Sequence, residues 1–247
     1  MRNILIELIY DGSEFHGWQK QNNARSVQEE VENALSRITG ETVSVTGSSR
    51  TDAGVHALSY IFNFHTNSEI PSEKFAPALS AQLNPREIVA VRSEEVSEEF
   101  SARFSNDGKR YVYKIHNSRQ RNPFLEKYSW YVPYALDIEE MKKASKFFEG
   151  THDFKGFMAV GGSQQTTVRT VRCCEVYARG DEIFIEVEAD AFLYNMVRII
   201  TGTLIYVGCG KIPASHIPDI ILSGDRERAG MTAPPQGLYL KKVILKK

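Results

Sequence analysis

Residues 47–58, reading Gly-Ser-Ser-Arg-Thr-Asp-Ala-Gly-Val-His-Ala-Leu, lie between two apolar stretches and carry a guanidinium (Arg50), a carboxylate (Asp52) and an imidazole (His56). As a connection this stretch is longer and more polar than a hairpin needs. A carboxylate there can serve as a nucleophile or help a reacting base. It can equally close a local turn, the commoner job of an Asp in a loop, and spacing alone does not separate the two. His56 is a possible acid or base by type. Arg198 stands out differently. It lies in LYNMVRIITGTLIYVG, an apolar segment of helical character where an unpaired guanidinium is costly and a bidentate carboxylate partner would offset the cost. The alternatives are a stem packed along the helix with its head in solvent, or a pair with some other acid. Tyr111, in KRYVYKI, shares a strand face with Tyr113, where aromatics usually serve the core.

The elements that must position these residues follow from periodicity. Ile4 to Tyr10 reads as a strand, Val27 to Ile38 as an amphipathic helix, Thr42 to Thr46 as a strand, and Tyr60 to His65 as another. A helix is predicted from Ser72 to Leu83 behind Pro71, and a strand from Ile88 to Arg92. That is one β-α-β-β-α-β unit. After a linker around Asn106-Asp107-Gly108 the order returns: strand Arg110 to Ile115, helix Ile138 to Phe148, strands Cys173 to Ala178 and Ile183 to Ala189, helix Leu193 to Tyr206, strand Leu238 to Leu245. The hairpin turns at Arg179-Gly180-Asp181. The expected fold is therefore α+β, with two ferredoxin-like halves, 1–106 and 107–247, whose antiparallel sheets flank a central cleft. The duplication is visible in element order only, without a residue-level repeat.

Composition sets outer limits. With 247 residues, 42% of them hydrophobic, the chain can bury one large core or two small ones. It contains no 18-residue apolar run, and its beginning moves from a short apolar segment into acidic and polar residues without a cleavage pattern, so a soluble, cytoplasmic protein without membrane attachment is expected. Cys173, Cys174 and Cys209 form neither a CxxC nor an even framework, which argues against a zinc site or a disulfide scaffold. The net charge of -1 would not by itself suggest a nucleic-acid partner. The charges are uneven, however. Glu94, Glu95, Glu98 and Glu99 crowd one segment, while Lys109, Arg110, Arg119, Arg121, Arg169, Arg172 and the Lys-rich C-terminus gather positive charge elsewhere.

The stretch Ser49-Arg50-Thr51-Asp52-Ala53-Gly54-Val55-His56-Ala57 resembles the signature of the TruA family of tRNA pseudouridine synthases, and the likeness runs along nearly the whole chain. It includes Tyr10-Asp11-Gly12, Gly17-Trp18-Gln19-Lys20-Gln21, Leu83-Asn84-Pro85, Ala102-Arg103-Phe104, Lys109-Arg110-Tyr111-Val112-Tyr113 and Gly150-Thr151-His152-Asp153-Phe154. Phe192-Leu193, Met196-Val197-Arg198 and Gly237-Leu238-Tyr239-Leu240 complete it. The resemblance implies that Asp52 is the catalytic carboxylate of a uridine isomerisation that needs no cofactor and no metal. It further implies that Arg198 is the partner of that carboxylate and that Tyr111 stacks on the extruded base and can accept a proton. Arg50 is then a substrate-binding residue, filling the place of the flipped nucleotide or holding its phosphate. Lys109, Arg110, Arg169 and Arg172 would supply backbone binding. The reaction has no evident need for His56, for which loop packing is expected. The implied substrate is the tRNA anticodon stem-loop, at tRNA positions 38, 39 and 40, bound by a homodimer.

Two departures border the active loop. The family usually has Gly where this chain has Ser49, and Gly-Gln-Val where it has Leu58-Ser59-Tyr60. A Cβ at 49 can restrict the loop or its approach to RNA, which leaves open a divergent paralogue acting on another uridine or RNA. A non-catalytic RNA-binding protein is the second alternative, opposed by the intact Arg50, Asp52, Tyr111 and Arg198. A metal-dependent hydrolase using His16, His56, His65 or His152 lacks HExxH or close paired spacing.

Overall fold

A computed structural model describes residues 1–162 and 165–246. The fold is α+β, and the chain divides into two compact units, one of residues 1–107 with those from Tyr239 onward, the other of Gly108–Leu238. The first unit contains β1 (Arg2–Tyr10), α1 (Val27–Thr39), β2 (Thr46–Gly47), β3 (His56–Thr66), α2 (Phe75–Gln82) and β4 (Ile88–Val96). β5 (Asn106–Asn117) carries the chain into the second unit, which holds β6 (Trp130–Val132), α3 (Ile138–Lys146), β7 (Gly150–Asp153), β8 (Val168–Arg179), β9 (Glu182–Ala189), α4 (Met196–Gly208) and α5 (Ile217–Ser223). The last strand, β10 (Leu238–Leu245), returns to the first unit at Tyr239.

In the first unit β1 lies between β3 and β4, antiparallel to both, and β2 pairs antiparallel with β3. β10 runs parallel to β3, setting Tyr239 opposite His56 and Leu240 opposite Ala57. Ile4, Ile6 and Leu8 of β1 are fully buried, as are Val27, Val31, Ala34 and Leu35 of α1, the i, i+4, i+7, i+8 stripe that a core-facing helix needs. Each large apolar side chain so buried contributes about 1.5–3 kcal/mol. α1 starts where Ser26 accepts from the Glu29 N–H and stops where Gly40 takes a left-handed conformation. A buried pair, Asn63 donating to Asn3 at 2.9 Å, pins the chain beyond β4: Asn3 Nδ2 donates to the Ser97 and Phe100 carbonyls, and Asn63 Oδ1 accepts from the Ala102 N–H.

In the second unit β9 lies between β5 and β8, and β7 covers the far edge of β8, all antiparallel, while β6 runs parallel to β5. α4 is buried along almost its entire length, and α3 packs against both α4 and β8.

Three sequence-based expectations change. Thr42 to Val45 are not a strand: Val43 and Val45 are buried, but their N–H groups donate to Ser36 Oγ and Glu32 Oε1 of α1, so helix side chains replace a ladder. The predicted linker around Asn106-Asp107-Gly108 is the first part of β5, with Gly108 so close to the Ala189 carbonyl that a Cβ would meet it at 2.5 Å. Finally, the helix predicted from Ser72 begins as a 3-10 turn and becomes α-helical only at Phe75.

Candidate active site

The loop between β2 and β3 is held from below by the segment after β1. The Trp18 N–H donates to the Thr51 carbonyl at 3.2 Å, the Gly54 N–H to the Phe15 carbonyl at 3.1 Å, and the Tyr10 and Thr51 hydroxyls lie 2.9 Å apart. Glycine is required where the two segments touch. A Cβ on Gly12 would fall 2.0 Å from the Val55 carbonyl oxygen, and one on Gly17, whose φ is +91°, would fall 2.3 Å from that of Thr51. The Trp18 ring stacks on Tyr60 at 3.9 Å, and the Tyr60 hydroxyl donates to the Ser49 carbonyl at 2.6 Å. The residues on either side of Asp52 are thus anchored from three directions. Asp52 itself is half-buried, within a loop that closes on itself through the Val55 N–H donating to the Asp52 carbonyl. Arg50 is exposed and, among the described residues, makes no ion pair.

His56 is buried at the start of β3 and stacks on Tyr239 at 4.6 Å. Its Nδ1 lies 3.0 Å from the Gly12 nitrogen and 3.1 Å from Asp11 Oδ1. A backbone N–H can only donate, so Nδ1 accepts and the proton of the neutral ring sits on Nε2; the Asp11 contact is then proximity, not an ion pair. Among the described residues no group of three or more His, Cys, Asp or Glu is placed to hold a metal ion, and no helix is long and apolar enough to cross a membrane.

The second unit holds Tyr111 and Arg198. Tyr111 on β5 is 7% exposed and meets Phe192 edge-on, with ring centroids 5.0 Å apart. Tyr113, on the same strand face, donates to the Pro234 carbonyl at 2.6 Å. Burial holds its phenol well above the usual range, with the Arg198 charge pulling the other way. Arg198 is the third residue of α4. Its Nε donates to the Ala233 carbonyl at 2.7 Å, its Nη1 to Asn195 Oδ1 at 2.8 Å, and its own carbonyl accepts from the Ala233 N–H at 3.1 Å. The chain around Ala233 therefore lies as a strap along α4. Gly230 and Gly202 make that approach possible: a Cβ on Gly202 would fall 1.8 Å from the Met231 carbonyl oxygen, and the Gly230 N–H donates to Thr203 Oγ1 at 2.8 Å.

The basic residues differ in availability. Arg110 is committed to Glu188, its Nη2 2.6 Å from that carboxylate, and this hydrogen bond raises the guanidinium's pKa. It is a local ion pair. Arg169 spends one nitrogen on the Val168 carbonyl and Thr166. Lys109 is pushed down to about 8 by burial, against the pull of Asp190.

A family model described as tRNA pseudouridine synthase matches residues 8–105 and 144–244, and the chain belongs to this family. Within it, the likeness is to the proteins named tRNA pseudouridine synthase A. That of Thermoanaerobacter sp. (strain X514) is 51% identical over 244 residues, spanning 99% of this chain and 100% of the relative. That of Ruminiclostridium cellulolyticum is 51% identical, over 98% of this chain and 99% of its own length. The protein of Clostridium perfringens named tRNA pseudouridine synthase A 2 is 49% identical, over 99% and 100%.

Sequence reasoning named Asp52, Arg50, Tyr111 and Arg198 but missed Asn195 and the strap. Asn195 carried a signal: it stands three residues before Arg198, one turn of helix away. A backbone carbonyl such as that of Ala233 carries none.

Proposed function

We propose that this protein isomerises uridine to pseudouridine in tRNA, at tRNA positions 38, 39 and 40 of the anticodon stem-loop, with Asp52 as the catalytic carboxylate. The observation that carries the reading is the loop around Asp52, anchored on both sides within a chain that belongs to the tRNA pseudouridine synthase family. In the reaction the N1–C1′ bond breaks, the uracil turns, and a C5–C1′ bond forms. The hydrogen on C5 leaves as a proton and N1 takes one up, so nothing is oxidised or consumed and no cofactor is needed. Asp52 acts by adding to the base or by engaging C1′ of the sugar, and either role requires the ionised form.

Arg198 is the cation that keeps Asp52 ionised and directs it. Tyr111, braced edge-on by Phe192, is the platform for the extruded uracil and the proposed acceptor of the C5 proton. Arg50, exposed beside Asp52, holds the phosphate of the flipped nucleotide or fills the space it leaves. With the short β6, β7 and α5 set aside, the halves 1–106 and 107–247 each run β-α-β-β-α-β in chain order, and we read them as two ferredoxin-like repeats. The order β4-β1-β3-β2 within the first unit supports that reading. A cytoplasmic homodimer cradling the tRNA completes the proposal.

The departure at Ser49 does not weaken it. The φ of Ser49 is not positive, so its Cβ is unstrained, and the second departure supplies the Tyr60 hydroxyl that holds the Ser49 carbonyl. The test is tritium release from C5-labelled uridine in unmodified tRNA, with wild type against Asp52→Ala and the product positions mapped. Release by wild type alone at positions 38–40 is expected. Release at other uridines points to the divergent paralogue, and tight binding without release by folded wild type points to a binding-only protein.

A further inference from the structure

Asn195 is the one non-glycine residue with positive φ among the described residues, at +61°. It occupies the N-cap of α4, where an Asn ordinarily has extended backbone and accepts from an N–H of the first turn. Here it does neither: its backbone is left-handed, and its side chain makes no capping bond. Its Oδ1 instead accepts from Arg198 Nη1 at 2.8 Å. The helix forgoes a cap and accepts an unfavourable conformation, which only Gly, Asn and Asp adopt with any ease, in order to place one acceptor against one guanidinium. The second anchor, the Ala233 carbonyl on Nε at 2.7 Å, is also uncharged. These two anchors hold the guanidinium without adding a negative charge of their own.

We infer that Asn195 is a positioning residue for the isomerisation: through a neutral oxygen it fixes Arg198 in the orientation that serves Asp52. The inference rests on the reading of Arg198 as the partner of Asp52. It makes a prediction about charge as well as shape. An Asp at 195 has the same outline and tolerates the same backbone, but its carboxylate would take the guanidinium's charge for itself.

The experiment uses full-length protein, unmodified tRNA and tritium release, with thermal midpoints recorded for each variant. Asn195→Gly keeps the left-handed backbone and removes only the acceptor. Its kcat is expected to fall about tenfold, the worth of one hydrogen bond to a charged group, with KM for tRNA unchanged. In an Arg198→Lys background, which cannot make the same bonds, Asn195→Gly should have no further effect. Asn195→Asp should lose kcat by at least as much while its thermal midpoint stays at or above that of wild type, a pattern that damage to the fold does not produce. Wild-type kcat in Asn195→Gly or Asn195→Asp would overturn the inference, as would an equal loss from Asn195→Gly with Arg and with Lys at 198. Full activity in Arg198→Ala is the separate result that removes the reading of Arg198, and the inference with it.

Discussion

Replacing Gly202 by Ala tests whether the strap along α4 is held as tightly as its contacts imply. In an exposed helix interior this change stabilises by about 1 kcal/mol, because Ala is the better helix former. Here the new Cβ would stand 1.8 Å from the Met231 carbonyl oxygen, so the strap must retreat by roughly 1.5 Å or more to reach ordinary contact. The hydrogen bonds at stake are those that tie the strap to α4: Gly230 N–H to Thr203 Oγ1 at 2.8 Å, Ala233 N–H to the Arg198 carbonyl at 3.1 Å, and Arg198 Nε to the Ala233 carbonyl at 2.7 Å. Two neutral bonds at about 1 kcal/mol each and one to a charged group at about 2 kcal/mol outweigh the gain in helix propensity. The net loss is about 3 kcal/mol, or roughly 6–12 °C in thermal midpoint for a chain of this size. Because Arg198 loses its Nε anchor in the same displacement, kcat should fall more than KM rises. Differential scanning calorimetry and tritium release measure the two effects. A midpoint at or above that of wild type, the result helix propensity alone gives, would refute the close-approach argument.

Tyr60→Phe removes the hydroxyl that holds the Ser49 carbonyl but keeps the ring stacked on Trp18, so a loss of about 1 kcal/mol and a severalfold fall in kcat at unchanged KM are expected. Unaltered unfolding and kinetics would show that the hydroxyl does not steady the loop. Lys109→Met should stabilise the protein at pH 7 by at most about 3 kcal/mol, since burial lowers the Lys109 pKa from 10.5 to about 8. Between those two values the unfolded chain binds the extra proton, so wild-type stability rises with pH across this window and the advantage of the variant should close above about pH 10. Urea unfolding at pH 7 and pH 10 decides it, and an equal gap at both would rule out the buried charge as the cause.

Long periodic elements were legible because their pattern and their end signals agree. β10 occupies the stretch its alternation predicts, and α1 starts behind Ser26 and stops before Gly40. The elements that escaped lack one or other signal. β7 is four residues on a sheet edge, and α5 is seven residues with Pro218 at its second position. Residues 42–45 show strand alternation because Val43 and Val45 do point into the core, but the pattern reports burial only, and here the backbone bonds go to helix side chains.

The same division runs through the site. Asp52 and Tyr111 could be named only through the family resemblance, since an Asp in a polar loop commonly closes a turn and an aromatic on a strand usually serves the core, whereas Arg198 also stands out by itself as a costly guanidinium in an apolar helix. Part of what holds the Asp52 loop and Arg198 is backbone: the Thr51 and Ser49 carbonyls in the loop, and the Ala233 carbonyl on Arg198. Backbone acceptors are the same in every residue, so the sequence marks them only indirectly, through the glycines that let two segments touch. Gly12 and Gly17 face the loop of Asp52, and Gly202 and Gly230 face the strap of Arg198. Pairs of glycines flanking a chemically loaded segment are therefore the sequence trace of each scaffold. Asn195 belongs with them, as a left-handed position that keeps a side chain because the side chain has a partner to hold.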